Sequence, residues 1–163
     1  MVAFRMIIIG GDSPNGYTSA AELKGDKLDV FTSVLFPYVP LAWHCTSQMD
    51  SLTLAVTGGY ATKNVKDCSQ KSYFYHLATK TWTDGPLMIA KRAEHGCSFI
   101  SGKDGKPTAI VVGGYVNAAL TRLDSVEIYN RALDKWESGP ALPDKLSAFQ
   151  VKYCVLNLEN AFC

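Results

Sequence analysis

The chain has 163 residues, enough for one ordinary domain that would bury roughly 70% of its extended-chain surface on folding. With 47% hydrophobic and 19% charged residues its composition excludes disorder and collagen-like repetition, and sixteen basic against fifteen acidic residues leave no net field to draw it to nucleic acid or an anionic membrane. In chain order, the opening "MVAFRMIIIGGDS" reads as a strand rather than a secretory signal, because an arginine interrupts a short apolar run and no small-residue cleavage site follows. Period-two alternation along "TAIVVGG" and "DSVEIYN", rich in Val, Ile and Tyr, then predicts strands with one or both faces buried, several of them along the chain. Turn residues part them at short, even intervals, which is the pattern of an all-β fold with little helix. No apolar run reaches the roughly 20 residues needed to span a bilayer.

Cys45, Cys68, Cys97, Cys154 and Cys163 form no CxxC pair, keep no regular spacing and are odd in number, so they signal neither a disulfide framework nor a zinc site. The expectation is reduced thiols in a cytoplasmic protein, with secretion as the alternative if a signal lies upstream of this chain. No Asn-x-Ser/Thr acceptor occurs.

The chain repeats itself. "MIIIGG" ends at Gly11, "LAVTGG" at Gly59 and "AIVVGG" at Gly114, so Gly10-Gly11, Gly58-Gly59 and Gly113-Gly114 each close an apolar strand at a period near fifty residues. Beyond the glycines, "YFYHLATKTWTDGPLM" from Tyr73 aligns without a gap on "EIYNRALDKWESGPAL" from Glu127. Tyr75 falls on Tyr129, Trp82 on Trp136 and Gly85-Pro86 on Gly139-Pro140. Paired glycines permit backbone angles that other residues avoid and let a neighbouring segment come close. The Tyr and Trp rings supply bulk between stacked sheets.

This pattern resembles the kelch repeat, a hydrophobic strand ending in Gly-Gly followed by a Tyr and a Trp six residues apart. The resemblance covers roughly residues 5 to 155. In the first copy "SAAELKGDKLDV" lacks the Tyr and Trp, and in the last copy Arg92 and His95 of the middle copy become Leu146 and Phe149. The resemblance implies blades of four antiparallel strands, labelled A to D from the inside outward, standing radially round a channel. The chain is then one unit, 1–163, with repeats at about 5–42, 43–93 and 94–146 and a terminal strand within 147–158. On this resemblance it holds a B-C-D set at about 5–34, two complete blades with strands at about 43–49, 52–58, 72–76 and 80–83 and at about 94–100, 108–113, 124–129 and 134–138, and a lone A strand at about 148–155. Three blades are fewer than the four to eight of closed propellers. The expectation is therefore an incomplete propeller, part of a larger ring or completed by self-association.

No nucleophile elbow, P-loop or dinucleotide fingerprint occurs, so no catalytic residue and no cofactor is assigned. His44 and His95 follow the blade proline at matching places. They read as structural histidines bonded at a blade edge, since the other ligands of a metal site are missing. Some propellers with kelch-like blades are copper oxidases of the galactose-oxidase kind, but Tyr75 and Tyr129 sit at structural positions of the repeat. A non-catalytic binding module is the leading reading. Its B-to-C and D-to-A connections open on one side and place Lys63, Asn64, Lys66, Lys91, Arg92, Asn117 and Arg122 there as candidate contacts for an acidic or polar protein or peptide segment. The resemblance also implies, for a longer parent protein, substrate recognition for a cullin-type ubiquitin ligase or actin binding. No BTB-like segment precedes the first repeat in this chain.

Overall fold

The computed structural model describes residues 42–60, 68–102, 104–116 and 121–152, together with strands before and after them. Every described element is a strand. The first sheet has the order β1 (Met6–Ile9), β4 (Ala20–Lys24), β5 (Lys27–Val30), and a short hairpin of β2 (Asp12–Ser13) and β3 (Gly16–Tyr17) leaves from the β1 end. The second sheet runs β6 (Cys45–Asp50), β7 (Thr53–Thr57), β8 (Ser72–His76), β9 (Thr81–Asp84), and the third runs β10 (Gly96–Ser101), β11 (Pro107–Val112), β12 (Val126–Asn130), β13 (Lys135–Ser138). All the pairings are antiparallel, and in the second and third sheets they join strands consecutive in sequence, so these two are four-stranded meanders in chain order. The sheets do not close into a ring.

The alignment of the two aromatic motifs is also an alignment in space. Tyr75 lies opposite Trp82 and Tyr129 opposite Trp136, each pair joining the two outer strands of its sheet with ring centroids 4.8 and 5.6 Å apart. Cross-strand aromatic pairs of this kind stabilise a sheet by roughly 0.2–1 kcal/mol relative to alanines. The second and third sheets pack face to face through Met49, Ala55, Phe74 and Met88 against Ala109, Val111, Tyr129 and Trp136. Phe74 and Tyr129 meet in a tilted contact at 5.1 Å, and the buried Trp136 indole N–H finds the Pro86 carbonyl at 3.2 Å. Burial, together with a hydrogen bond to Asp134, pushes the Tyr129 phenol up to about 12. The opposite face of the second sheet, with Val56 and Tyr73, packs against Ile9 of β1.

Two places depart from the sequence expectation. Cys45 and Cys97 are joined by a disulfide with 5.9 Å between their Cα atoms, which corrects the expectation of reduced thiols. The physical reason is that β6 and β10 are the innermost strands of neighbouring sheets, so residues 52 apart in sequence lie side by side. Cys68 remains a buried thiol, while Cys154 and Cys163 lie outside the described residues. The end of the chain also differs from a lone strand over 148–155, because β14 (Val155–Asn157) pairs with β15 (Asn160–Phe162) as a hairpin. No helix among the described residues is long and apolar enough to cross a membrane.

Candidate functional site

The described ends of two connections, 58–60 with 68–71 and 113–116 with 121–125, leave the second strand of each four-stranded sheet and enter its third, and 85–95 and 139–148 leave the fourth, so these residues lie at one end of the strands. Their geometry starts at the glycine pairs. Gly58 and Gly59 have φ of 64° and 86°, and Gly113 and Gly114 have 59° and 91°. A side chain at Gly59 would stand 2.6 Å from the Ala42 carbonyl and 2.9 Å from His44, and one at Gly58 would strike Arg92 and His95. Only glycine tolerates both the angle and the approach.

That close approach brings Arg92 inside. Its side chain is wholly buried, which corrects its placement among the loop-side contacts for a partner. Nη2 donates to Glu127 Oε1 at 2.5 Å and to Ser125 Oγ at 3.2 Å, and Nη1 donates to the Gly113 carbonyl at 2.7 Å. Burial pulls the guanidinium down from its ordinary value and the adjacent Glu127 side chain opposes this, so Arg92 stays charged. Glu127 also accepts the backbone N–H groups of Ile89 at 2.7 Å and Ala90 at 2.9 Å. One carboxylate on β12 therefore fixes the whole connection from the preceding sheet, turning 89–92 into a rigid loop.

His95 lies beside this pair. Its Nε2 shares a hydrogen bond with Thr57 Oγ1 at 2.8 Å, and that hydroxyl lies 3.4 Å from the Cys45 carbonyl. Nδ1 has no hydrogen-bond partner. Burial above all, then the charges of Arg92 and His44, hold the ring well below the usual histidine range, so it is neutral. Among the described residues no group of three His, Cys, Asp or Glu is placed to hold a metal ion. Tyr60 and Tyr115, the residues after the two glycine pairs, form a tilted ring contact at 6.1 Å beside Cys68. Burial raises both phenols, so they remain protonated hydrogen-bonding groups.

The outer surface of these connections carries the remaining candidates. Lys91 is exposed, and the exposed Arg122 donates from Nε to Ser147 Oγ at 3.1 Å. Lys63, Asn64, Lys66 and Asn117 lie outside the described residues, as do Gly10 and Gly11 of the repeat signature. The residues that sequence reasoning missed are apolar. Leu87 and Ile89 are 57% and 58% exposed on either side of Met88, which is 1% exposed, and Trp43 is 47% exposed at a φ of 60°. The signal was present in "PLMIAK", three apolar residues in a loop of which one at most can face inward. The side is mixed in charge, since Glu94, Asp124 and Asp144 share it with Lys91, Arg122 and Lys145.

A comparison with curated proteins found no match to the chain. Residues 110–143, spanning β11 to the connection after β13, match the family model described as the kelch motif. The matched segment contains Gly113-Gly114, Tyr129 and Trp136, the residues that close a strand and fill the sheet interface above. The chain therefore carries a kelch repeat, and the kelch-repeat family is the assignment its sequence supports.

Proposed function

We propose that the chain is a non-catalytic protein-interaction module that binds a partner protein or peptide on the side formed by its B-to-C and D-to-A connections. The observation that carries this reading is the 87–91 loop. Leu87 and Ile89 stand exposed beside Lys91 on a backbone that Glu127 holds from the neighbouring sheet. Exposed apolar side chains on a fixed loop cost little conformational entropy on docking. Lys91 and Arg122 add charge that suits an acidic segment, with Trp43 as a further aromatic contact. The preferred ligand is an extended segment that alternates apolar and acidic residues.

The test uses an array of short acidic-apolar peptides with charge-reversed versions as controls, probed with the whole chain and with two variants. Ile89→Ser should weaken capture of the acidic-apolar set about tenfold, and Lys91→Ala with Arg122→Ala should remove the preference over the charge-reversed set. Retention of both affinity and preference in both variants would overturn the reading. For location, the Cys45–Cys97 bridge supports an oxidising compartment over the cytoplasm expected from cysteine spacing.

A further inference from the structure

The third sheet has one covered face and one open one. Ala109, Val111, Tyr129 and Trp136 are buried against the second sheet, whereas Ile100, Ile110 and Ile128 on the other face are only partly buried, and Ile100 and Ile128 border a groove of about 360 Å³. Residues 146–151 begin to cover the inner end of that face, and they do so in the manner of 92–97 one sheet earlier. Ala148 has a φ of 56° where Glu94 has 47°, and the Ala148 N–H donates to the Glu94 carbonyl at 2.8 Å as the Glu94 N–H donates to the Trp43 carbonyl at 2.9 Å. The Gly114 N–H donates to the Leu146 carbonyl at 2.7 Å as that of Gly59 donates to Arg92 at 2.8 Å. Phe149 packs on Gly113 as His95 packs on Gly58, and Val151 meets Gly96 where Cys97 meets Cys45.

These residues therefore enter the place of an innermost strand, and such a strand needs a second strand beside it. The first sheet offers one. Its order ends at β1, which runs into a Gly-Gly pair as β7 and β11 do, and both of those carry an innermost strand, β6 and β10, on the edge that β1 leaves unpaired among the described residues. Among the described residues, one sheet has no inner strand on that edge and one inner-strand segment has no sheet beside it.

We propose that two copies of this chain associate head to tail. Residues 149–152 of each pair antiparallel with β1 of the other, and the β1-β4-β5 sheet of each covers the Ile110 and Ile128 face of its partner. The register follows from the two complete sheets. Cys45 lies opposite Thr57 and Gly96 opposite Val112, in each case the second residue after the positive-φ position facing the residue before the glycine pair. By the same rule Gln150 of one copy faces Ile9 of the other. With the two-stranded hairpins set aside, each copy has three described sheets of three or four strands, so two copies supply six blades, inside the range of about four to eight found in closed propellers, whereas three fall below it. The dimer depends on the blade architecture and not on the loop-side ligand; mass and peptide affinity fail separately.

The experiment is light scattering of the whole chain behind a sizing column, combined with oxidation of the Ile9→Cys/Gln150→Cys double variant. Directly opposed strand residues meet at Cα distances of about 4.5–5.5 Å, within disulfide reach. The expected results are twice the mass of one chain and a covalent dimer on a non-reducing gel that wild type does not give. Gln150→Pro, which removes a ladder N–H, should halve the mass while the far-UV spectrum stays that of a β protein. A single-chain mass at the highest soluble concentration, a bridge closed within one chain, a ladder of longer polymers, or a dimer that fails to cross-link would each overturn the proposal.

Discussion

The second and third sheets share one strand pattern and differ in what lies beyond them. Ala55, Phe74 and Met88 of the second are 1%, 7% and 1% exposed, while Ile110, Ile128 and Leu142, which occupy the matching places of the third, are partly open. At the first of these places the larger residue, Ile110, is less buried than Ala55. Burial here is decided by whether a neighbouring sheet stands opposite, not by the hydrophobicity of the residue, and each 100 Å² of apolar surface left open forgoes about 2.5 kcal/mol. The connections into the next inner strand differ in the same way. The side chains of Arg92, His95 and Cys97 make an ion pair, a buried imidazole contact and a disulfide, whereas those of their counterparts Leu146, Phe149 and Val151 are apolar.

Three changes convert the polar junction toward the apolar one. The largest effect is expected from Arg92→Leu, the residue present at 146. It leaves Glu127 charged and buried without its partner, and the loss should be about 3–5 kcal/mol in urea unfolding. Adding Glu127→Gln should recover part of it, because the amide oxygen still accepts from the 89–90 backbone. If Arg92→Leu were neutral, the pair would not be what fixes the 89–92 loop. Next comes opening of the Cys45–Cys97 bridge, which closes a span of 52 residues; its reduction, or Cys45→Ser with Cys97→Ser, should cost roughly 2–4 kcal/mol in thermal melts. A melt indifferent to reductant would assign the junction to side-chain packing alone.

The smallest change is His95→Phe, the residue present at 149. The folded ring titrates well below 6.5 and the unfolded one near 6.5, so the unfolded chain binds more protons over that interval. Stability should therefore fall as pH drops below about 6.5, by up to about 1.4 kcal/mol per pH unit, with no contribution from this group above it. His95→Phe should flatten that slope relative to wild type. His44 and His76 are common to both proteins, so the difference between the two pH profiles isolates His95. Parallel profiles would mean that His95 is protonated in the folded state after all.

Much of the fold was legible because a meander is a local object. Strands expected at about 94–100, 108–113, 124–129 and 134–138 stand at 96–101, 107–112, 126–130 and 135–138, since alternation and turn residues act over a few positions. The β2–β3 hairpin was missed although Pro14 and Asn15, which stand between its strands in sequence, are turn-forming residue types. The candidate side was less legible. Lys91 and Arg122 are exposed as expected, but Arg92 reads from its neighbours as a loop cation and is buried because Glu127, 35 residues on, receives it. Leu87 and Ile89 read as loop filler, and their exposure follows from Met88 taking the inward place.

Strand order, the glycine pairs at positive φ and the Tyr and Trp pairing across outer strands were determined by sequence alone, because each depends on residues within one meander and on steric limits that hold in any context. The partner of Cys45, the burial of Arg92 and the open Ile110 and Ile128 face were decided only in tertiary structure. Each arises where two sheets meet, or fail to meet, and no local pattern records which residues of a neighbouring sheet will stand opposite.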